Sequence, residues 1–297
     1  LVSINDNMVR GFRLIHEPNG TITAEAGVPN MSPLETIGEI RVTDALQVTP
    51  SRLDVKTGAV ALRDQPSGRA AYISFAEVLC TGAQVHLDLD PLEITTGITP
   101  LRLPIFGTEA SDTKAQVAAA VFLADTAANG AGYAAELGKD DLFEKMLKSI
   151  LTDRSDLWDD PDHRDRCDSS CPDCLRTYHN SRRHSLLDWR LALDMLELAN
   201  GVRLTTSRSL PAEAPWIKTA ADGIEASAGS INEVPIVTRG DSCVVLCHPL
   251  WRLDPAYFTD TQAEAYDEAQ DRFRRVALQD IRVFRTNPLS VWPHLNA

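Results

Sequence analysis

The sequence predicts an α/β fold, with α+β as the alternative: a mixed sheet with flanking helices, a Cys3His knot, and a smaller C-terminal α/β domain. Three observations predict it. An apolar run, AAAVFLADT (118–126), ends in Asp125 and is followed by a glycine turn, NGAGY (129–133), and then a helical pattern, which is the order of a strand, a tight turn and a helix. Beyond 215 helical and strand patterns alternate again. Between the two, CDSSCPDC (167–174) places three cysteines within eight residues, a local constraint of the kind a metal ion supplies.

Taken in order, residues 1–48 are β-rich. LVSIND and VRGFRLIHE read as strands around an Asn-Asp-Asn turn, EPNGT supplies another turn, and EIRVTDALQV (39–48) reads as a further strand. SGRAAYISFAEVLCTGAQV (67–85) carries apolar residues at helical spacing, and 87–107, broken by prolines, reads as extended. The run 118–126 reads as a buried strand and 131–153 as one or two helices, followed by an acidic polar loop, DRSDLWDDPDHRDRCD (153–168). A helix over about 185–200 is marked by Leu186, Trp189, Leu193 and Leu196 on one stripe, by Ser185 with Asp188 in a capping pattern, and by Asn200-Gly201 as a stop. TTSRSLPAEAP (205–215) reads as a linker. A helix (216–228), strands at 233–238 and 242–248, a helix at about 260–275 and a strand at 280–285 follow. The division implied is a β-rich leading segment (1–48), a central zinc-bearing domain (49–204) and a small α/β domain (205–297).

With 297 residues and 43% hydrophobic content the chain can bury a sizeable core. Its net charge of -13 excludes a surface that is one continuous nucleic-acid footprint, though not a local basic patch. No apolar run reaches the ~18 residues a membrane span requires, and LVSINDNMVR has no basic-then-apolar signal pattern. The chain starts without an initiating Met, which leads us to expect a piece of a longer protein. Six cysteines without a secretion signal point to a reducing, cytoplasmic setting, where clustered cysteines bind metal more often than they form disulfides.

The cluster is spaced Cys167-x3-Cys171-x2-Cys174. A CxxC turn lets two thiolates reach one ion at about 2.3 Å, and tetrahedral zinc takes four ligands, so one is wanting. The nearby histidines are His163, His179 and His184; His179 gives CxxC-x4-H and His184 gives CxxC-x9-H, both feasible on chain length. A Cys3His site filled by protein leaves no open position, so the zinc is read as structural. The competing reading, a redox pair, normally opens a helix after a strand and needs no third cysteine. Arg164, Arg166, Arg176, Arg182, Arg183 and Arg190 surround the knot; arginines suit phosphates, while the neighbouring aspartates equally suit them as ion-pair partners.

Elsewhere the chemistry-bearing residues are sparse. Cys243, Cys247 and His248 invite a second metal reading, but Cys243, Val245 and Cys247 share one face of a strand, where core thiols are the simpler account. NGAGY lacks the lysine of a phosphate-binding loop, and no acidic magnesium box is present, so the chain carries no helicase motor of its own. A nuclease in 205–297 would rest on Asp241 alone.

The stretch CDSSCPDCLRTYHNSRRHSLLDWRLALDML (167–196) resembles the zinc-binding C-terminal domain of MrfA-like superfamily 2 helicases, and is closer to the related domain of DISARM-type phage-defence helicases and helicase partners. The likeness lies in Cys174-Leu175, Tyr178, Asn180, His184 and Leu187-Asp188; FLADTAANGAGYAAELG (122–138) and GEIRVTDALQV (38–48) resemble further pieces of it, in the same order. MrfA-like members use four cysteines where this chain has three; the DISARM-like pattern implies His184 as the fourth ligand, with His179 the competitor. The resemblance implies an accessory region that packs on a motor domain or partner subunit, with Arg176, Arg182 and Arg183 facing DNA, and with ATP and Mg2+ belonging to the motor. It leaves a non-catalytic interaction module as the rival, and it does not reach residues 205–297.

Overall fold

The computed structural model describes residues 2–5, 12–16, 22–26, 37–40, 42–49, 56–57, 66–103, 116–211 and 214–296. Four short strands lead: β1 (Val2–Asn5) pairs antiparallel with β4 (Ile37–Ile40), and β2 (Phe12–His16) with β3 (Ile22–Ala26). The turns expected over Asp6-Asn7 and 17–21 lie outside the described residues. The expected strand 39–48 is two strands, β4 and β5 (Ala45–Val48).

A three-stranded antiparallel sheet, order β5-β7-β6, is the platform of the central region, with β6 at Ile94–Leu103 and β7 at Gln116–Asp125. Helix α1 (Pro66–His86) lies over it and is buried along most of its length, consistent with apolar residues all round its surface. After β7 the chain turns sharply, and Asp125 fixes the turn. Its Oδ2 accepts from the N–H groups of Ala131, Gly132 and Tyr133 at 2.7, 2.7 and 3.1 Å, and its Oδ1 from Ala134 at 2.9 Å. These are the otherwise orphaned donors at the start of the short helix α2 (Tyr133–Leu137). Gly130 and Gly132 take φ of 80° and 90°, which the turn requires and an L side chain resists.

Helix α3 (Leu142–Trp158) runs past the expected end at 153, and α4 (Pro161–Arg166) follows, so most of the stretch read as a polar loop is helical. Asp160 caps α4 by accepting from Asp162 N at 2.9 Å, with Pro161 in the first turn. A 3-10 turn covers Ser181–Leu186, and α5 (Trp189–Ala199) starts three to four residues later than expected. Its cap is Asp188, accepting from Arg190 N at 3.1 Å, and not Ser185, because the 3-10 turn takes Ser185. Trp189, Leu193 and Leu196 are fully buried, in one cluster with α1, α3 and the sheet.

The C-terminal residues form a second cluster of buried side chains. Helix α6 (Pro215–Asp222) leads into a mixed sheet, order β11-β10-β9-β8: β8 (Ser227–Ile231), β9 (Val234–Arg239) and β10 (Ser242–Cys247) are antiparallel, and β11 (Arg275–Asp280) joins β10 in parallel after α7 (Asp260–Arg272). The strand expected at 280–285 is instead β11 ending at Asp280 and then α8 (Ile281–Thr286), capped by Asp280. β8 escaped the sequence reading, because Ser-Ala-Gly-Ser carries no strand signature. A 3-10 turn (Pro288–Val291) and α9 (Trp292–Leu295) close the chain.

The two clusters are joined by buried charge. The segment expected as a linker contains Arg208, whose side chain is 3% exposed and donates to Asp194 Oδ1 at 2.6 Å and Glu197 Oε1 at 2.5 Å, both on α5. From the far side His248 Nε2 lies 3.4 Å from Asp194 Oδ2, and His248 Nδ1 accepts from Leu250 N at 3.1 Å. Burial works to lower the Arg208 guanidinium, and Asp194 and Glu197 more than offset it, leaving it above its usual value. Arg282 Nε on α8 meets Asp188 at 3.3 Å, Arg285 pairs with Asp168, and Arg252 N donates to Lys56 O at 3.3 Å ahead of α1.

Candidate metal centre

His163 and Cys167 are four residues apart at the end of α4, so one helical face presents both side chains. Cys167 is the residue that ends this helix, its N–H donating to His163 O at 2.8 Å. The turn Cys171-Pro172-Asp173-Cys174 brings the other two thiols round, closed by Cys174 N to Cys171 O at 3.1 Å. The ligand atoms of His163, Cys167, Cys171 and Cys174 all lie within 4.8 Å of one another.

The spacings fit a tetrahedral ion. With bonds of about 2.3 Å to sulfur and about 2.0 Å to nitrogen, a regular tetrahedron separates sulfurs by about 3.8 Å and sulfur from nitrogen by about 3.5 Å. Cys167 Sγ is 3.8 Å and Cys171 Sγ 3.7 Å from Cys174 Sγ, and His163 Nε2 is 3.5 Å from Cys171 Sγ. The outer contacts agree. His163 Nδ1 lies 2.7 Å from Trp158 O, a pure acceptor, so Nδ1 carries the proton and Nε2 turns its lone pair to the thiols. Trp189 packs edge-on to the imidazole at 5.2 Å and donates from Nε1 to Cys167 O at 3.2 Å. Cys171 N donates to Cys174 Sγ at 3.1 Å. Without a cation between them, burial raises the Cys167 thiol and pushes that of Cys174 up to about 11, so a divalent charge is what lets these thiolates share one site.

The structure brings neither His184 nor His179 to the cysteines. The 3-10 turn folds His184 back onto the preceding loop, where Nε2 is 3.0 Å from both Thr177 O and Asn180 Oδ1. His179 is exposed, edge-on to Tyr178 at 5.5 Å. His163 was visible in the sequence but sat in what read as a loop. Asp160-Pro161 as a helix start would have placed His163 and Cys167 on one face.

The knot loop is tied to α1 through Glu77. Its Oε2 accepts from Asn180 Nδ2 at 2.9 Å and its Oε1 from Arg183 at 2.6 Å, while Arg183 also donates to Thr96 O at 3.1 Å on β6. Arg176 donates to Ser170 Oγ at 2.9 Å. Arg182 is exposed and has no polar partner among the described residues. Cys243 and Cys247 are buried in β10, their thiols raised by burial to about 12, and Gln262 Nε2 lies 3.5 Å from Cys247 Sγ. Among the described residues they belong to no metal-type grouping.

Residues 75–175 match the family model described as the MrfA Zn-binding domain. All four residues of the cluster fall inside the match, and His179 and His184 lie beyond it. This part of the chain is thus similar to the MrfA Zn-binding domain, as its resemblance led us to expect. The Druantia protein DruE of Escherichia coli (strain UMEA 4076-1) is 36% identical over 131 residues, 43% of this chain. The chain spans 6% of that relative's length. The crystal structure of the DUF1998 helicase MrfA bound to DNA aligns with 67% of this chain and 25% of its own, at a TM-score of 0.30 and 15% identity, too low to equate the two folds.

Proposed function

We propose that this chain is the accessory zinc-binding region of a superfamily 2 DNA helicase, or of its partner subunit, in cytoplasmic antiviral defence, where it packs on the motor and guides DNA. The observation that carries the reading is the closed four-ligand cluster lying wholly inside the segment matched by the MrfA Zn-binding model. Cys167, Cys171, Cys174 and His163 hold the zinc, and His163 takes the place expected of His184 or His179. With every vertex filled by protein, the ion has no position for water or substrate and serves the fold: it holds α4, the knot and α5 in one arrangement. ATP and Mg2+ belong to the motor, and residues 205–297 ride on the zinc-bearing region as a small second domain.

One observation favours a second reading, an interaction module that makes no DNA contact: Arg176 and Arg183 are engaged within the chain. Nothing supports a nuclease in 205–297, where Asp241 stands exposed and outside any metal-type grouping among the described residues.

The test is made on the native gene product, purified from its host. The expected result is a chain or complex heavier than 32.6 kDa with DNA-stimulated ATP hydrolysis, whose duplex unwinding is lost together with zinc in Cys171→Ser. A product of 32.6 kDa that co-purifies with no ATPase would overturn the reading.

A further inference from the structure

A cleft of about 490 Å³ opens between α1, β6 and the loop that follows the knot. That is the size of a small-molecule site. Its walls are largely apolar, with Pro91, Leu92 and Ile94, and carry polar groups from Thr81 and Gln84 on α1 and Thr95 on β6. The one carboxylate in its lining, Glu77, is already neutralised by Arg183 and bound by Asn180, so the cleft presents no free negative charge.

Its rim carries two groups with no polar partner among the described residues, His179 and Arg182, both exposed. In a chain of net charge -13, an unpaired guanidinium beside an imidazole is a local exception. Next to them Tyr178 is 88% exposed, the most exposed large hydrophobic side chain described, with its ring edge-on to His179. An aromatic ring held that far into water adds little to the core. A flat aromatic, two phosphate-suited donors and hydroxyl and amide groups behind them are the elements that recognise base, phosphate and sugar.

We infer that this cleft binds a nucleotide unit, its phosphate on Arg182 and His179 and its base on Tyr178. The unit comes either from a single-stranded nucleic acid or from a free nucleotide. In the first form the inference rests on the DNA-guiding role proposed above and narrows it to one place; in the second it stands without that role.

Titration calorimetry of the zinc-loaded 297-residue chain with oligodeoxythymidylate, and separately with thymidine monophosphate, tests it. Tyr178→Ala should weaken binding about tenfold, the order of one lost base stack. Arg182→Ala should lower the salt slope of oligonucleotide binding by about one phosphate contact. Arg176→Ala, whose side chain is held by Ser170, should change neither. Binding of the oligonucleotide with this pattern supports the single-strand source, and equal binding of the mononucleotide supports the free one. Failure of both probes to bind, or binding indifferent to both rim variants, overturns the inference. Tyr178 and Arg182 are exposed, so unchanged melting temperatures will separate lost binding from lost fold. A chain that binds the oligonucleotide but no motor sinks the helicase reading and leaves the cleft standing.

Discussion

Replacing His163 by alanine should strip zinc from the knot, and replacing His184 should not. A four-ligand zinc site in a small domain is worth about 10–16 kcal/mol, so one ligand carries roughly 2.5–4 kcal/mol, and its loss raises the zinc Kd by about 10²–10³. His163→Ala also removes the imidazole packed on Trp189 at 5.2 Å, a further ~1 kcal/mol of fold stability. His184 makes two 3.0 Å contacts, to Thr177 O and Asn180 Oδ1, so its removal should cost about 1–2 kcal/mol of stability and leave the zinc Kd unchanged. Competition for zinc against a chromophoric chelator measures the first quantity and denaturant titration the second. His163→Cys should restore most of the affinity, since a fourth thiolate suits the same ion. Unchanged zinc affinity in His163→Ala, or a tenfold loss in His184→Ala, would refute the assignment.

Arg208→Met should cost about 3–5 kcal/mol, because it leaves Asp194 and Glu197 buried without their cation; a urea midpoint within 1 kcal/mol of the parent would show the junction is not held this way. Asp125→Ala should cost about 3 kcal/mol, the order of two charge-assisted hydrogen bonds, and should raise amide exchange at Ala131–Ala134 first. Cys243 and Cys247, raised from 9.0 to about 12, favour the folded state while neutral; that contribution is whole below pH 9 and falls as pH rises toward 12. Urea midpoints taken from pH 8 upward should therefore drop in the parent and drop less in the double variant Cys243→Ala, Cys247→Ala.

The sequence announces this protein best where a single local pattern governs. The apolar run into Asp125, the glycine turn and the stripe on α5 each follow from short-range chemistry, and so does the clustering of three cysteines. The fourth ligand was harder to read. Its helix is six residues long and rich in aspartate, and propensity alone does not separate such a turn from a loop. The His184 expectation came from likeness to a family pattern, and the local 3-10 turn redirects that side chain to Thr177. The Arg208 junction was illegible for another reason. The carboxylates that hold Arg208 lie on α5, His248 reaches Asp194 from just after β10, and nothing in TTSRSLPAEAP marks one arginine as buried. Arg183 shows the same limit: its cation was plain in the sequence, but the carboxylate it meets is 106 residues away.

The ring of charge around α5 also decides how the molecule carries load. Arg208 and His248 grip Asp194, Arg282 grips the residue that caps α5, and Arg285 reaches Asp168 inside the knot. Bending at this joint would have to part the largely buried Arg282–Asp188 pair together with the His248–Asp194 and Arg285–Asp168 contacts, so thermal motion will not hinge the two halves as beads on a string. A neighbour that grasps the zinc-bearing half and turns it will swing the C-terminal sheet through the same angle, as one lever arm.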